Sequence, residues 1–457
     1  MNALLREARF LLGLKSAVAA ILCLFLLSAV AVGAGLAEVA RQQATIARIA
    51  PQQTADVAAI VDWASREKDP GNAAYYTFHA TWDPPSDLAF AAIGTRDVSP
   101  YVLRVRALGL EAQLYEGEIG NPEAALPGRF DFAFVLVYLA PLFVILLFHD
   151  LRSGEREAGR LGALTASAGS PSGLWRARIA VRAAGLFLAL AVPFLIGAAV
   201  AGTALWKTGA VLLVVLAYLA FWTTLSVVVA RAKRGSLANA MTLAAAWMTL
   251  TLIVPAIGHV VINSAIPLRQ GMELGQRQRT AVHRAWDIPK SRTMDAFFRT
   301  HPEWKDTAPL TEAFHWKWYF AFHQVGDESA ADLARAYRDG VLKRAAWSER
   351  LGLVTPGVAA QLALHRLAGA DPAAQIAYQD RIRAFHGALR RFYYPYLFRD
   401  RPFGREDFAR APQYQAAPDP GGWPGSLLLG LLGMSALVAG VGAWRSRREG
   451  RGEGVLL

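Results

Sequence analysis

Six apolar blocks of about 20 residues, each almost free of charged side chains, constrain the fold of this chain more than any other feature. A helix of about 20 residues is as long as the hydrocarbon core of a bilayer is thick. The sequence therefore predicts an all-α polytopic membrane protein with six transmembrane helices. They are expected at residues 17–37, 130–149, 180–202, 209–230, 237–261 and 425–444. Pro141, Pro193 and Pro255 fall inside three of them and predict kinks rather than breaks.

Basic side chains mark one side of the membrane. They cluster at residues 6–15, 152–182, 231–234 and 445–451, directly beside the apolar blocks. With an even number of spans all four clusters lie on the same side, which the positive-inside rule assigns to the cytoplasm. The sequence thus predicts a multi-pass membrane protein with both termini cytoplasmic. Because the net charge of +12 is explained in this way, no nucleic-acid partner is expected.

The two chain ends are expected to be cytoplasmic. In residues 4–14 leucines and Phe10 alternate with Arg6, Glu7 and Arg9, which favours a helix lying in the membrane interface across residues 1–16. A plain extension of the first span is the alternative. Small residues from Ser28 onward also resemble a signal-peptide cleavage site, but cleavage would leave five spans and is disfavoured. Residues 445–457 form the predicted tail.

Two long loops, residues 38–129 and 262–424, are predicted to build a mostly helical extracytoplasmic domain. In the first loop, residues 38–65 prolong the first span, with Pro51 as a candidate break. Turn signals at residues 69–72 and 83–87 then separate segments 75–82 and 101–110, whose aromatic and β-branched residues permit short strands.

The second loop predicts four helices, at residues 269–286, 314–323, 330–351 and 372–392, with a turn signal at Gly326-Asp327 between the second and the third. Ser329 and Thr355 are expected to act as N-caps. Residues 399–424, which contain five prolines, are expected to form an irregular strap back to the last span.

Enzyme and ion-carrier classes find little support. The chain lacks the phosphate-binding loop, serine-hydrolase and zinc-protease patterns, so no catalytic residue, metal or cofactor is expected on it. Its spans hold almost no ionisable side chain away from their ends, which disfavours secondary transport. The only cysteine, Cys23, can make no internal disulfide. His315 and His323 would lie roughly 80° apart on a helix, which favours structural roles. The aromatic residues between them favour a helix-bundle core, with a ligand contact as the alternative.

The segment between spans two and three, residues 150–179, carries the strongest functional signal. Two acids precede a glycine, then two leucines three residues apart, then a Ser-Pro turn. The residues in that order are Glu155, Glu157, Gly159, Leu161 and Leu164. A solvated amphipathic loop helix would satisfy this pattern. A docking helix would also satisfy it, with the acids presented to a basic cleft of a partner and the leucines holding the helix to the bundle.

This segment resembles the coupling segment of ABC-2 type transporter permeases. That family carries at this place two acids, a glycine, a small or polar residue, two spaced leucines and a proline-containing turn. Glu155, Glu157, Gly159, Leu161, Leu164 and Pro171 match, and Arg160 stands where threonine is common.

The layout of six spans with large insertions after spans one and five resembles a permease subgroup with a large extracytoplasmic domain of unknown function. Stretches similar to that subgroup are Asp83-Pro-Pro-Ser-Asp87, residues 93–100, residues 128–134 and residues 355–361.

The resemblance implies a permease subunit without ATPase activity of its own. Such subunits work as pairs, either with a second copy or with a sister permease, and ATP binds to a separate ATPase subunit. The expected function is therefore the membrane subunit of an ABC exporter in a bacterial inner membrane, with Glu155–Leu164 transmitting the motion of the ATPase. The alternative is a membrane-anchored receptor or scaffold whose outer domain binds a ligand. Charge reversal at Glu155 and Glu157 is expected to weaken ATPase attachment and to leave membrane insertion intact.

Overall fold

The computed structural model describes residues 3–115, 129–167, 171–232, 234–268 and 270–452. Gly128, Lys233, Arg269 and the outermost residues of both predicted tails therefore lie outside the described chain. Within it, six helices are long and apolar enough to cross a membrane, which confirms the predicted number of spans.

The first span belongs to a helix of 53 residues. A short helix, α1 (Ala3–Gly13), precedes it, and α2 runs from Lys15 to Glu67. The candidate break at Pro51 does not occur. Proline removes one donor to the carbonyl of Ala47, but both residues are exposed, so this carbonyl can face solvent.

Spans two and five each contain a π-helical turn directly before a proline. Span two consists of α5 (Phe132–Phe134), a π-turn (Val135–Leu139) and α6 (Ala140–Phe148). Span five consists of α11 (Ser236–Met248), a π-turn (Thr249–Ile253) and α12 (Val254–Ala265). Pro141 cannot donate to the carbonyl of Val137, and the Tyr218 hydroxyl donates to it instead at 2.7 Å.

The other spans are continuous helices. They are α9 (Pro171–Ala201), α10 (Leu205–Ala230) and α19 (Gly425–Gly452). Between spans two and three lie two short helices, α7 (Ser153–Glu157) and α8 (Leu161–Ser167). The end of the bundle that carries α1, α7 and α8 is called the basic end here, and the opposite end is called the domain end.

The first insertion contains the predicted short strands. After α3 (Pro70–Tyr76), β1 (His79–Trp82) pairs antiparallel with β2 (Val102–Val105), so that His79 lies opposite Val105. A 3₁₀ turn (Gly94–Asp97) precedes β2, and α4 (Leu110–Tyr115) follows it. The amide of Gln53 on α2 bonds the carbonyl of Phe78 and the N–H of Ala80, in place of a third strand.

The second insertion is helical. It contains α13 (Gln270–Arg284), α14 (Lys290–Thr300), a 3₁₀ turn (Pro302–Trp304), α15 (Trp316–Gly352), α16 (Pro356–Leu367), α17 (Pro372–Phe398) and α18 (Arg405–Ala409). Two predicted helices are one, α15, and α14, α16 and α18 were not expected. The turn predicted at Gly326 is wrong, because α15 continues through this buried glycine, which packs near Val282 of α13.

The two predicted N-caps do not act as caps. Ser329 lies inside α15, where its hydroxyl donates to the carbonyl of Gly326 at 2.7 Å. Thr355 precedes α16, but its hydroxyl donates backward to Leu351 at 2.6 Å. Asp371 does cap a helix with its side chain: at the start of α17 it accepts the N–H of Ala374 at 2.9 Å.

Helix α16 packs with the spans, although its sequence lies in the second insertion. Ala359, Ala360 and Ala363 are fully buried in the same apolar core as spans one to four. At its start, a Cβ on Gly357 would lie 3.4 Å from Val137 and 3.9 Å from the Tyr218 hydroxyl. Part of this insertion therefore enters the helical bundle. The remaining helices and the strands share a second apolar core with the outer half of α2.

Candidate functional site

Helices α7 and α8 are joined by a bend at Gly159. Its φ of +68° lies in the left-handed region that favours glycine. The N–H of Arg160 donates back to the carbonyl of Glu155 at 2.9 Å and closes the end of α7. A Cβ at position 159 would meet no atom within 4 Å, so the backbone conformation rather than close packing calls for glycine here.

Glu155 points into the protein. Its carboxylate pairs with Arg178 of α9 at 2.9 Å and with Arg160 at 3.0 Å. On its other side, Arg178 pairs with Glu7 of α1 at 3.0 Å. We call Glu7, Glu155 and Arg178 the Arg178 clamp. It ties the helix before the first span, the segment after the second span and the start of the third span to one guanidinium.

The Arg178 clamp is almost completely removed from solvent. The side chain of Arg178 is 4% exposed, and the carboxylate-bearing side chains of Glu7 and Glu155 are 6% and 9% exposed. The rings of Phe10 and Trp175 cover the guanidinium at 5.1 and 5.3 Å. Because separating buried opposite charges is costly, the three elements are expected to move together.

Glu157, the last residue of α7, caps the start of the fifth span. Its carboxylate accepts the N–H of Ser236 at 2.7 Å and the Ser236 hydroxyl at 2.8 Å. Gly235, at the N-cap position of α11, has no side chain with which to do so. A carboxylate at this place satisfies one free backbone donor and interacts favourably with the helix dipole. The segment 150–179 is thus attached to span five as well.

The structure gives the two acids a different role from presentation to a partner's basic cleft. Glu155 is buried against an arginine of the same chain, and the carboxylate of Glu157 is occupied by Ser236. Helix α8, in contrast, has no fully buried residue. Leu161 packs against the bundle core and Leu164 lines a groove beside α1. The exposed surface of this segment therefore runs from Arg156 through α8.

Sequence reasoning missed the partners of these acids. In the sequence Arg178 is only one positive charge among several, and nothing in the sequence indicates that Ser236 contacts an acid. Glu7 offered a signal, because it is the only acidic residue among residues 1–37. A lone acid in a basic, membrane-proximal helix indicates a specific ion pair.

A second polar cluster lies at the domain end. Asp83 pairs with Arg96 at 2.5 Å and with Arg381 of α17 at 2.6 Å. The Nε of Arg96 also donates to Gln42 of α2 at 3.0 Å. We call Asp83, Arg96 and Arg381 the Asp83 clasp. Together with Gln42, it joins residues 83–87 and 93–100 to α2 and to α17.

Asp87 attaches the same loop to the hairpin of spans three and four. Its carboxylate accepts the N–H of Ala204 at 2.9 Å and pairs with Lys207 at 2.5 Å. Its carbonyl accepts the hydroxyl of Thr203 at 2.6 Å. Asp87 therefore caps the start of α10, as Glu157 caps the start of α11.

The aromatic run of residues 316–322 is core, since Trp318, Phe320 and Phe322 are buried. His315 caps α15 by accepting the N–H of Lys317 at 3.2 Å. Burial lowers the pKa of His323 to about 3, assisted by nearby arginines. Within the described residues, no group of three or more His, Cys, Asp or Glu side chains could hold a metal ion.

Comparison with known proteins gives one match. A family described as a domain of unknown function, DUF3526, matches residues 272–417, which run from α13 to the strap. No curated protein and no solved structure matches the chain.

Proposed function

We propose that this chain is the membrane-spanning permease subunit of an ABC-2 type transporter, acting in export and driven by a separate ATPase subunit. The observation that carries the proposal is the attachment of one short segment to three spans. Residues 150–167 follow span two, pair with Arg178 at the start of span three and cap span five through Glu157. The resemblance of that segment to the coupling segment of such permeases supports the same conclusion.

Helix α8 is the contact proposed for the ATPase. It has no fully buried residue, and it is joined through Gly159 to α7, whose side chains hold the bundle. A displacement of α8 would act on α7, and the Arg178 clamp would pass it to α1 and α9. The contact between Glu157 and Ser236 would pass it to α11.

The proposal assigns ATP to the partner and not to this chain. It also requires a second permease, either another copy or a sister chain, because the nucleotide-binding subunits of such transporters act as a pair. Glu155, Glu157, Gly159, Leu161 and Leu164 are then residues that transmit motion, and none of them is catalytic.

The test is affinity purification of the full chain from native membranes in mild detergent, followed by identification of the proteins that accompany it. We expect an ATPase with a phosphate-binding loop. Ala163→Lys and Ala166→Lys place a charge on the exposed surface of α8 and should reduce ATPase recovery about tenfold. Membrane insertion should not change.

Arg176→Ala is the matched control. Arg176 is exposed at the start of α9, and its Nε donates to the carbonyl of Ser172, outside the clamp. It should retain normal ATPase recovery. A preparation without any ATPase, repeated after gentle crosslinking, would refute the transporter proposal in favour of a receptor or scaffold. Full recovery with both α8 variants would remove the coupling role from this helix.

A further inference from the structure

A cavity of about 450 Å³ lies in the outer part of the protein, between α2 and the strap. One face of α2 forms a wall through residues spaced by three or four positions: Ala50, Gln53, Thr54, Val57, Ala58 and Val61. Strand β1, helix α17 and residues 405–414 of the strap form the other walls. We call this space the strap cavity. Its volume is within the range of about 300–1,000 Å³ found for small-molecule sites.

Aromatic rings line the strap cavity in a continuous series. Trp82 packs edge-on against Tyr414 with ring centroids 5.7 Å apart, and Tyr414 packs against Phe385 at 5.5 Å. Phe385 in turn lies 5.9 Å from His79. Such a lining favours an apolar ligand body, because rings provide a large contact area with little loss of side-chain entropy.

Three buried polar atoms in this wall lack a hydrogen-bonding partner of good geometry among the described residues, and one of them, the hydroxyl of Tyr414, lies near Arg381. The other two are Nε2 of His79, whose residue is 7% exposed, and the hydroxyl of Tyr393, whose residue is fully buried. Thr77 lies near Tyr393, but its hydroxyl donates to the carbonyl of Ala73 at 2.7 Å. Buried polar groups are normally paired, so both atoms indicate a ligand group that would complete them.

The strap cavity carries almost no charge. Burial lowers the pKa of His79 to about 4, so its ring is neutral near pH 7. Arg405 is the only charged side chain in the lining, and Asp62 already pairs with it at 2.5 Å. Neither an anion nor a cation would find an unpaired opposite charge there.

The position of the strap cavity separates it from the bilayer. The first span is predicted to end near residue 37, and the cavity wall on α2 spans residues 50–61. At about 1.5 Å per helical residue, the wall lies roughly 20–35 Å beyond the end of the span. An apolar molecule in this cavity would have left the membrane.

We propose that the strap cavity binds a neutral small molecule that has an apolar body and a hydroxyl or similar hydrogen-bonding group, the latter meeting His79 and Tyr393. This site is independent of the proposed transporter function, since a receptor could use it equally well. In a transporter it would hold cargo after the cargo has left the outer leaflet.

The experiment is photocrosslinking of the full chain in lipid nanodiscs with octanol carrying a diazirine ring, followed by mapping of the labelled residues. We expect label at residues 50–61 and 405–414. Ala58→Trp places a large ring on the cavity lining and should reduce that label about tenfold. Ala59→Trp is the matched control, because Ala59 is exposed on the same helix, as Ala58 is, but lies outside the lining, and it should label normally.

Tyr393→Phe tests the hydrogen-bonding group. It removes one hydroxyl and keeps the ring, so the ratio of labelling by octanol to labelling by octane with the same diazirine should fall roughly three- to tenfold. The ratio corrects for any change in folding. An unchanged ratio would overturn the assignment of a hydrogen-bonding group.

Two further outcomes would overturn the proposal as a whole. The first is label confined to the membrane-spanning helices, or label at the cavity that Ala58→Trp leaves unchanged. The second is stronger cavity labelling by diazirine-bearing octanoate or octyltrimethylammonium, which would identify a charged ligand.

Discussion

The two ends of the helical bundle are held by opposite charge arrangements. At the domain end, one buried acid, Asp83, serves two arginines from different elements. At the basic end, one buried arginine, Arg178, serves two acids from different elements. In both places a second acid lies close by in sequence and caps the start of a span.

The surroundings of these two centres differ. The Asp83 clasp lies between α2, α17 and the loop that also holds the α9–α10 hairpin, so every arm of it is anchored in packed structure. The Arg178 clamp lies next to α8, which has no fully buried residue. The domain end is therefore held by packed elements on all sides, whereas the basic end includes a helix, α8, that a partner can reach. A subunit that a partner moves by acting on its basic end would require this difference.

The largest effect is expected from removing either central residue. Asp83→Ala leaves the buried Arg96 without its carboxylate. Arg178→Ala leaves the buried Glu7 without its cation and leaves Glu155 with only the exposed Arg160. We expect each to lower the free energy of unfolding by about 3–5 kcal/mol. Chemical denaturation of the full chain in detergent, together with hydrogen exchange near each site, measures the loss.

Removing an outer charge of either cluster is expected to cost less stability than removing its central residue. Glu155→Ala leaves Arg178 paired with Glu7, and Arg381→Ala leaves Asp83 paired with Arg96. These variants should cost only about 1.5–3 kcal/mol. Asp97→Ala is the surface control, since its partner Arg129 is 44% exposed, and it should cost at most about 1 kcal/mol. Equal losses for central and peripheral residues would contradict the arrangement proposed here.

The sequence predicted the number of spans, and it indicated the segment for which a coupling role is proposed, because both depend on local patterns. Apolar length reveals a span, and acids, glycine and spaced leucines reveal the segment. The partners of these residues could not be predicted in the same way. Glu7 and Arg178 are 171 positions apart, and only the packing of α1 on α9 brings them together.

Two further misses have physical causes. Helix α16 has 12 residues, too few for a span, so its residues were assigned to the second outer loop although the helix is buried among the spans. Gly326 predicted a turn because glycine is permissive, whereas in the structure α15 continues through it and packs there against α13. In both cases tertiary packing overrides the local signal.

A second difference between the two ends is that the domain end contains buried histidines, which lie beside the second apolar core. Burial lowers the pKa of His79 to about 4 and that of His323 to about 3. The pKa of His386 is lowered well below its ordinary value by burial, with contributions from Arg390 and His79. In the unfolded chain histidine titrates near 6.5, so each of these rings takes up a proton only on unfolding as the pH falls below that value. Stability present above about pH 6.5 is therefore lost toward acid pH, by roughly 2 kcal/mol per histidine at about pH 5.

His386→Gln tests this effect. The variant should lose about 2 kcal/mol less on acidification from about pH 7.5 to about pH 5 than the parent chain does. Exposed His283→Gln is the control and should behave like the parent chain. Hydrogen exchange, corrected for its intrinsic pH dependence, should rise in β1 and α17 and not in α7 or α11. A uniform rise at both ends would show that the buried histidines are not the cause.

The smallest effects concern the two acids that cap spans. Asp87→Ala removes a cap from α10 and also leaves Lys207, whose side chain is 7% exposed, without its partner. Glu157→Ala removes a cap from α11 and leaves no buried cation behind. Hydrogen exchange in the first turn of α10 should therefore increase about tenfold or more in Asp87→Ala, whereas exchange in the first turn of α11 should increase only a few-fold in Glu157→Ala.

Asp87→Asn and Glu157→Gln separate the two contributions, because each retains an oxygen acceptor and removes the charge. Asp87→Asn should retain most of the defect of Asp87→Ala, since Lys207 is still unpaired, and Glu157→Gln should recover most of the protection. If both amides behaved alike, the caps would be equivalent and the basic end would be as firmly fixed as the domain end. Motion of α8 would then have to reach the bundle through the Arg178 clamp alone.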